Sequence, residues 1–296
     1  MRAFLFVANI IFCLHAAVAQ LPKSNLMLFQ LERYGDSVAL AKPQLLTQFN
    51  PSGYNSQPYF MTDDELYLTV QFPFDTTQTD IYALNLKTKE FTQITQTKES
   101  EYSPKPAPDG NSFTVVRVDA TKEKAQRLWQ YPLDRSNGGS TVLKNSTDIG
   151  YYQFITPQKL IAFVVEPQEK FHMSTYEIGT EFESRFSTRI GRCFQPLAGG
   201  KVAFMDKTDD ENWQITSFLP SEYQFQTLAN VSSASGGEDF VFLPDGTILM
   251  GKGSEVVYYT LQTKQWKTAA NLRGINIKKI ERLAVNSRGQ LVVVVK

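Results

Sequence analysis

Apolar residues in this chain occur in short runs bounded by turn residues, and not in the stripes spaced by about 3.6 residues that mark an amphipathic helix. Examples are Val-Val-Tyr-Tyr at 256–259 and Leu-Val-Val-Val-Val at 291–295. Strands that are covered on both faces lose the strict alternation of apolar and polar residues. The pattern therefore predicts an all-β protein whose sheets pack on both sides and whose helices are short.

One turn sequence recurs along the chain and reveals a repeat. Pro-Asp-Gly occurs between two apolar segments at 108–110 and again at 244–246, which is 136 positions or about three periods later. Turn residues also occupy the other places that this period predicts. The residues at the glycine position are Asp64, Gly110, Gln158, Gly200, Gly246 and Gly289. Because Asp-Gly and Gly-Gly favour tight hairpins, we expect six hairpins in series.

Each of the first five hairpins is followed by a second pair of predicted strands. The clearest pair lies at 80–95, and the others lie at 127–143, 173–190, 213–228 and 255–269. Four strands per repeat are typical of a propeller blade. The last hairpin, at about 280–295, has no second pair after it.

The N-terminal part of the chain supplies the two strands that are missing. Residues 25–31 match a third strand and residues 44–49 match a fourth. The predicted fold is a six-bladed β-propeller whose sixth blade is closed by strands from both termini. Such closure removes exposed sheet edges.

The first residues are of a different kind. Arg2 precedes an apolar run at 3–14, and Ala17-Val18-Ala19 then form a small-x-small cleavage site. This pattern predicts a secretory signal peptide at 1–19 and one propeller domain at 20–296. The alternative is a membrane anchor, but the apolar run is shorter than the roughly 20 residues of a bilayer span. We therefore expect a periplasmic or secreted protein with no membrane span after cleavage.

Cysteine and charge narrow the picture further. After cleavage Cys193 is the one remaining cysteine, so we expect no internal disulfide and a small buried side chain. The 30 basic and 30 acidic residues give a formal net charge of zero. This balance gives no reason to expect nucleic acid or an anionic membrane as a partner.

Two stretches carry a resemblance to a known family. Tyr-Asn-Ser-Gln-Pro-Tyr-Phe at 54–60, followed by Asp-Ile-Tyr at 80–82 and Phe-Thr-Gln-Ile-Thr at 91–95, resembles a full repeat of the TolB-type, WD-like β-propellers of bacterial envelopes. The stretch at 99–110 resembles the same repeat. The third and fourth repeats match in outline, and the last two match mainly through their turns. The resemblance implies an envelope propeller, without the separate domain that TolB carries ahead of its own.

The sequence carries no recognisable catalytic or metal-binding pattern. His172, the one histidine outside the signal peptide, is expected near a loop at the surface and in no catalytic role. The Gly-x-Ser-x-Gly of hydrolases that carry propellers does not occur, nor do the several histidines of propeller lyases. Residues 206–212 are rich in carboxylates but lack the spacing of an EF-hand loop. We predict no catalytic residue, metal or cofactor.

Binding is expected where the loops between blades and between second and third strands lie. The loop at 71–79 carries Phe72 and Phe74, and Tyr54, Tyr151 and Tyr152 are expected at the same end. Exposed aromatic side chains there suit a peptide or a sugar ring. The alternative is that Phe72 and Phe74 tuck between blades.

Charged residues are also expected near the central channel. Glu238 and Glu281 begin inner strands at equivalent places of the repeat, 43 positions apart. Asp239 and Arg282 follow them, and an ion pair would make their burial tolerable. Arg192 completes the set of candidates.

These features favour a non-enzymatic scaffold that binds an envelope protein or peptide. Binding of a carbohydrate or cell-wall polymer is the first alternative, and a lyase or hydrolase activity is the second. The fold alone does not decide among them, because propellers perform all three functions.

Overall fold

The computed structural model describes residues 21–120, 124–166, 170–187, 189–232 and 237–296. The predicted signal peptide at 1–19 lies outside the described residues. Within them the chain forms six four-stranded antiparallel sheets, which are the blades of a β-propeller. The six-bladed all-β fold is therefore confirmed.

The strands are numbered in chain order, and the first strand of each blade lies nearest the axis. Blade 1 consists of β3 (Tyr54–Phe60), β4 (Glu65–Gln71), β5 (Asp80–Asn85) and β6 (Phe91–Gln93). Blade 2 consists of β7 (Ser100–Pro106), β8 (Ser112–Val118), β9 (Gln126–Pro132) and β10 (Ser140–Thr141). Blade 3 consists of β11 (Ile149–Thr156), β12 (Lys159–Glu166), β13 (Lys170–Glu177) and β14 (Phe182–Arg185). Blade 4 consists of β15 (Ile190–Leu197), β16 (Lys201–Asp206), β17 (Asn212–Leu219) and β18 (Gln224–Ser232). Blade 5 consists of β19 (Phe240–Phe242), β20 (Ile248–Lys252), β21 (Glu255–Thr260) and β22 (Gln265–Asn271). Blade 6 consists of β23 (Ile280–Val285), β24 (Gln290–Val295), β1 (Asn25–Tyr34) and β2 (Ser37–Leu45). Within the described ranges, short 3₁₀ helices lie at Ala198–Gly200 and Leu272–Ile275.

The sixth blade joins both ends of the chain, as the sequence predicts. β1 pairs antiparallel with β24, with Asn25 opposite Val295 and Gln30 opposite Gln290. β2 pairs with the outer side of β1.

The predicted position of the fourth strand in this blade was wrong. It is formed by residues 37–45 and not by 44–49. The reason is a tight turn at Gly35, whose φ of +59° suits glycine and reverses the chain soon after β1. Residues 46–53 instead connect the sixth blade to the first.

The hydrophobic core is divided into six clusters, one between each pair of neighbouring blades. Leu28 of blade 6 packs in one cluster with Leu68 of blade 1, and Phe113 of blade 2 packs with Tyr67 of blade 1. Each sheet therefore buries both of its faces, which accounts for the unbroken apolar runs in the sequence. Among the described residues, no helix has the length and apolar character needed to cross a membrane.

A buried polar cluster ties the N-terminal segment to blade 1. The side-chain amide of Asn55 donates to the carbonyl oxygens of Ser24 (2.8 Å) and Asn50 (2.9 Å). Asn50 in turn donates to the carbonyl oxygen of Gln71 at 3.0 Å. These bonds hold the junction between blades 6 and 1.

The two ends of the ring differ in their loops. First strands begin, and second strands end, at the same end, because the two are antiparallel. The loops between blades and between second and third strands therefore lie there, and we call it the loop end.

Candidate functional site

A cavity of about 330 Å³ lies on the axis of the ring. Each first strand contributes one lining residue closer to the loop end and a second residue two or three positions further on. The residues closer to the loop end are Gln57, Ser103, Tyr151, Arg192, Asp239 and Arg282, and the others are Tyr59, Lys105, Gln153, Gln195, Val241 and Ala284.

Two bulges at matching places shape the wall of this cavity. Gln57 in β3 and Ser103 in β7 lie 46 positions apart, and their φ angles are +53° and +54°. The side chain of Gln57 accepts a hydrogen bond from the backbone N–H of Ser103 at 3.0 Å, which joins the two bulges. Each bulge shifts the register of the strand, and Tyr59 and Lys105 follow two positions later on the cavity wall.

Asp239 is shared between two arginines in the cavity wall. Its carboxylate, whose side chain is 10% exposed, accepts from Nε of Arg192 at 3.0 Å and from Nη1 of Arg282 at 3.3 Å. The charge of Asp239 raises the pKa of Arg192 above its ordinary value. Both guanidinium groups therefore stay charged.

Arg282 also crosses the axis. Its Nη2 donates to the hydroxyl oxygen of Tyr151 at 3.0 Å, and its guanidinium lies 5.2 Å from the centre of that ring. Tyr151 belongs to blade 3 and Arg282 to blade 6, which face each other across a ring of six blades. Burial opposes the charge of Arg282, but Tyr151 and Asp239 raise its pKa overall. Tyr54 lies close to Arg282. Burial raises the pKa of Tyr54, and the charge of Arg282 lowers it in part.

Lys105 extends from blade 2 towards blade 3. Its Nζ donates to the carbonyl oxygen of Tyr152 at 2.7 Å and to Oε1 of Gln153 at 3.0 Å. Burial lowers the pKa of Lys105 to about 8, because the charged ammonium loses its hydration.

Cys193 lies in the same wall and is buried, as expected from the sequence. Its thiol contacts the backbone carbonyl oxygen of Phe240 at 3.4 Å. Burial raises the pKa of Cys193 to about 12, so the thiolate is disfavoured near neutral pH.

The structure brings four of the predicted site residues together, namely Tyr151, Arg192, Asp239 and Arg282. Tyr152 also lines the cavity, but its ring is buried between blades 2 and 3, and its hydroxyl donates to Oγ1 of Thr114 at 2.8 Å. Its role there is in packing.

Glu238 and Glu281 do not line the cavity. Glu238 forms an ion pair with Lys207, and Glu281 forms one with Lys296 at 2.6 Å. The backbone carbonyl of Glu281 does contact the site, since it accepts from Nη2 of Arg192 at 3.2 Å.

The two phenylalanines of the aromatic loop at 71–79 differ in their exposure to solvent. Phe72 is half-buried and packs against the core between blades 6 and 1, with Tyr82 at 5.7 Å between ring centres. Phe74 is 86% exposed and stacks on Phe72 at 5.1 Å. The alternative that both rings tuck between blades therefore holds for Phe72 and fails for Phe74.

The prediction of a surface position for His172 was wrong. This residue is buried in β13, between the carboxylates of Glu166 (3.1 Å) and Glu183 (2.9 Å). These two acidic side chains from neighbouring strands cover the ring. His172 lies outside the cavity lining.

The acidic stretch at 206–212 forms the loop between β16 and β17. The carboxylate of Asp209 accepts hydrogen bonds from the backbone N–H groups of Glu211 and Asn212 at 2.9 and 3.0 Å. In the described part of the chain, no group of three or more His, Cys, Asp or Glu side chains is placed to hold a metal ion.

Sequence reasoning missed Lys105, although the repeat contained a signal for it. Lys105 stands five positions before Gly110, and Gln153 and Gln195 stand five positions before Gln158 and Gly200. An alignment of the repeats on their turns therefore collects the lining residues in one column. Because lysine is usually exposed, Lys105 was not recognised as a lining residue at this repeat position.

Comparison with known proteins gives evidence for the fold. No protein-family model matches the sequence, and the search of curated proteins finds no match. The structure is similar to that of a TolB candidate from Agrobacterium tumefaciens, with a TM-score of 0.68 and 12% identity over 92% of this chain and 98% of the other. TolB from Acinetobacter baumannii matches with a TM-score of 0.56 and 14% identity, over 92% of this chain and 63% of its own.

An enzyme has the same fold. Oligogalacturonate lyase from Vibrio parahaemolyticus matches with a TM-score of 0.52 and 10% identity, over 93% of this chain and 98% of the lyase. Identities this low support a shared architecture and nothing about activity. The chain is a six-bladed β-propeller whose architecture is similar to that of TolB.

Proposed function

We propose that the protein is an exported, non-enzymatic propeller that binds a protein or peptide of the cell envelope at the loop end of the ring. The observation that carries this proposal is the contact between Tyr151 and Arg282 across the axis. A cavity of about 330 Å³, partly open to solvent, lies beside this contact. A cavity of this size suits a small ligand or a few residues of a peptide.

A polysaccharide would be served better by an open groove with aromatic side chains along it. Phe74 is the exposed aromatic residue of the loop at 71–79, and its partner Phe72 packs into the core. Phe74 can therefore provide one stacking contact at the rim of the cavity. Such a contact suits a protein partner, and it is also the main observation in favour of carbohydrate binding as the alternative.

The chemistry of the cavity favours binding over catalysis. Among the described residues that line the cavity, Asp239 is the one carboxylate, and two arginines share it. Glycoside hydrolysis usually requires two carboxyl groups about the scissile bond. The thiol of Cys193 is held neutral by burial, and His172 lies elsewhere in blade 3.

Affinity capture from an envelope extract of the source organism tests this proposal. The bait is the mature chain, compared with Phe74→Ser and with the control Tyr34→Ser, which alters another exposed aromatic residue, at the end of β1. We expect a stoichiometric protein to be retained by the parent and by the control and to be lost from Phe74→Ser. All three proteins are first shown to have the same melting temperature.

Retention of glycan alone would contradict the proposal and favour the carbohydrate alternative. Retention of nothing by the parent would also contradict it. Determination of the N-terminal residue of the natural mature protein checks export independently, with Gln20 expected first.

A further inference from the structure

Positive charge is concentrated in the central cavity. The charged lining residues are Lys105, Arg192, Arg282 and Asp239, so three cations stand with one carboxylate. The whole chain is balanced, with 30 basic and 30 acidic residues. The excess in the cavity is therefore local and favours a ligand of negative charge.

The two arginines keep hydrogen-bonding capacity beyond what the protein uses. A guanidinium has five N–H donors. Within the described residues, Arg192 uses donors on Asp239 and on the carbonyl of Glu281, and Arg282 uses donors on Asp239 and on Tyr151. Several N–H groups of each remain for a ligand. Guanidinium groups match the planar geometry of a carboxylate, which accepts two parallel hydrogen bonds.

Within the described residues, Lys105 forms no ion pair with a carboxylate in this wall. Its two hydrogen-bond acceptors are the neutral carbonyl oxygen of Tyr152 and the neutral side chain of Gln153. A buried cation that contacts only neutral oxygens is costly, and an anion beside it offsets that cost. The low pKa of Lys105, about 8, agrees with a buried cation whose cost of burial the charge of Asp239 offsets only in part.

We propose that the central cavity binds a carboxylate group of the partner, either an acidic side chain or a C-terminal carboxylate, between Lys105 and the two arginines. This inference rests on the proposed function, because it names the part of a peptide that the cavity recognises. Asp239 holds the two guanidinium groups in place, and Lys105 approaches the carboxylate from blade 2.

The proposal implies a characteristic dependence on pH. The groups that face Lys105 are Cys193 on β15, Asp239 immediately before β19, Arg282 on β23, and Tyr152 and Gln153 on β11. A bound carboxylate favours the charged form of Lys105. Binding should therefore be strongest below pH 8 and weaken by up to about tenfold per pH unit above it.

Calorimetric titration with short blocked peptides tests the inference. Acetyl-Gly-Glu-Gly-amide carries a side-chain carboxylate, acetyl-Gly-Gly-Gly carries a terminal one, and acetyl-Gly-Gln-Gly-amide carries neither. We expect binding of at least one of the first two and no binding of the third. Lys105→Met should weaken that binding at least tenfold and remove its dependence on pH between 7 and 9, whereas Lys87→Met, which removes an exposed lysine far from the cavity, should change neither.

Each of four results would overturn the inference. They are equal binding of the neutral peptide, unchanged binding by Lys105→Met, binding of none of the peptides, and binding of inorganic phosphate or digalacturonate in place of the peptides. If Lys105→Met does not fold, Arg192→Gln replaces it, since the Arg192 side chain is more exposed than those of Asp239 and Arg282.

Failure of this inference can be told apart from failure of the proposed function. A partner protein that Lys105→Met captures as well as the parent does would leave the proposed function standing and remove the carboxylate site.

Discussion

At the scale of single residues, Glu101 is an acidic side chain that the fold removes from solvent. It is fully buried between blades 1 and 2, where its carboxylate accepts from Oγ1 of Thr95 at 3.1 Å and from the hydroxyl of Tyr131 at 3.2 Å. Burial raises the pKa of Glu101 to about 7, and the nearby charge of Asp80 adds to the effect. Burial also raises the pKa of Asp80.

These shifts predict that stability falls as pH rises from 5 to 8. The folded protein holds a proton on Glu101 up to about pH 7, whereas the unfolded chain releases it near pH 4.5, so the folded state is favoured at low pH and that advantage is lost as pH rises. The shift of pKa corresponds to about 3 kcal/mol. Urea denaturation at pH 5 and pH 8 should show this loss in the parent and a much smaller one in Glu101→Gln.

Glu90→Gln, which alters an exposed acid, serves as the control and should behave as the parent does. If the difference between the parent and Glu101→Gln is the same at both pH values, Glu101 does not titrate in this range.

Burial of individual charged residues could not be predicted from the sequence. His172 and Glu101 both stand in strands where neighbours on other strands decide their exposure. Cys193 was predicted correctly because a cysteine without a partner is usually buried whatever its neighbours are.

At the scale of elements, β1 and β2 are required for closure of the ring. Leu26 and Leu28 of β1 pack in the same cluster as Leu66 and Leu68 of β4, so the N-terminal strands cover one face of blade 1 as well as the edge of β24. Loss of these strands exposes both surfaces to water at once.

We predict that deletion of residues 20–50 abolishes cooperative unfolding. The remaining chain would leave β24 without a partner on one side and remove Ser24 and Asn50 from the bonds with Asn55. Thermal melting followed by circular dichroism checks this, with a chain that begins at residue 21 as the control. A cooperative transition near the parent's temperature in the shorter chain would refute the prediction.

The hairpins and the second strand pairs were predictable because each pair of apolar segments flanks a segment of residues that favour a turn. The fourth strand of blade 6 was placed too late because the apolar pair at 45–46 favoured that position, while β2 buries only Val38 fully and gives a weak apolar pattern. The turn at Gly35 was the signal that would have corrected it.

At the scale of the whole molecule, the contact between Tyr151 and Arg282 links opposite blades. A hydrogen bond to a charged group in a partly buried site contributes more than an exposed ion pair does. The two side chains therefore couple blades that share no strand pairing.

A double-mutant cycle measures this coupling. Tyr151→Phe and Arg282→Met should show an interaction of about 1–2 kcal/mol in the free energy of unfolding. The exposed pair Arg33 and Asp245, at 35% and 54% side-chain exposure, should give a value below about 0.5 kcal/mol in the same assay. An interaction near zero for the first pair would show that the contact across the axis contributes little to stability.

The repeat made the ring predictable, and with it the meeting of residues from different blades near the axis. Which side chains meet was only partly predictable. Asp239 and Arg282 were expected to pair because they occupy equivalent positions of the repeat. The position of Lys105 on the cavity wall depends on the bulge at Ser103, and no turn residue in the sequence indicates that bulge.

The seam between β1 and β24 also fixes the order in which the molecule can be completed. A chain that emerges from the ribosome or a membrane pore N-terminus first presents β1 early, and its partner is available only when residue 295 has followed. Through that interval Leu26, Leu28 and Phe29 lie on a strand with one unpaired edge. The interval is the period in which the nascent chain is most exposed to aggregation and has most need of a chaperone.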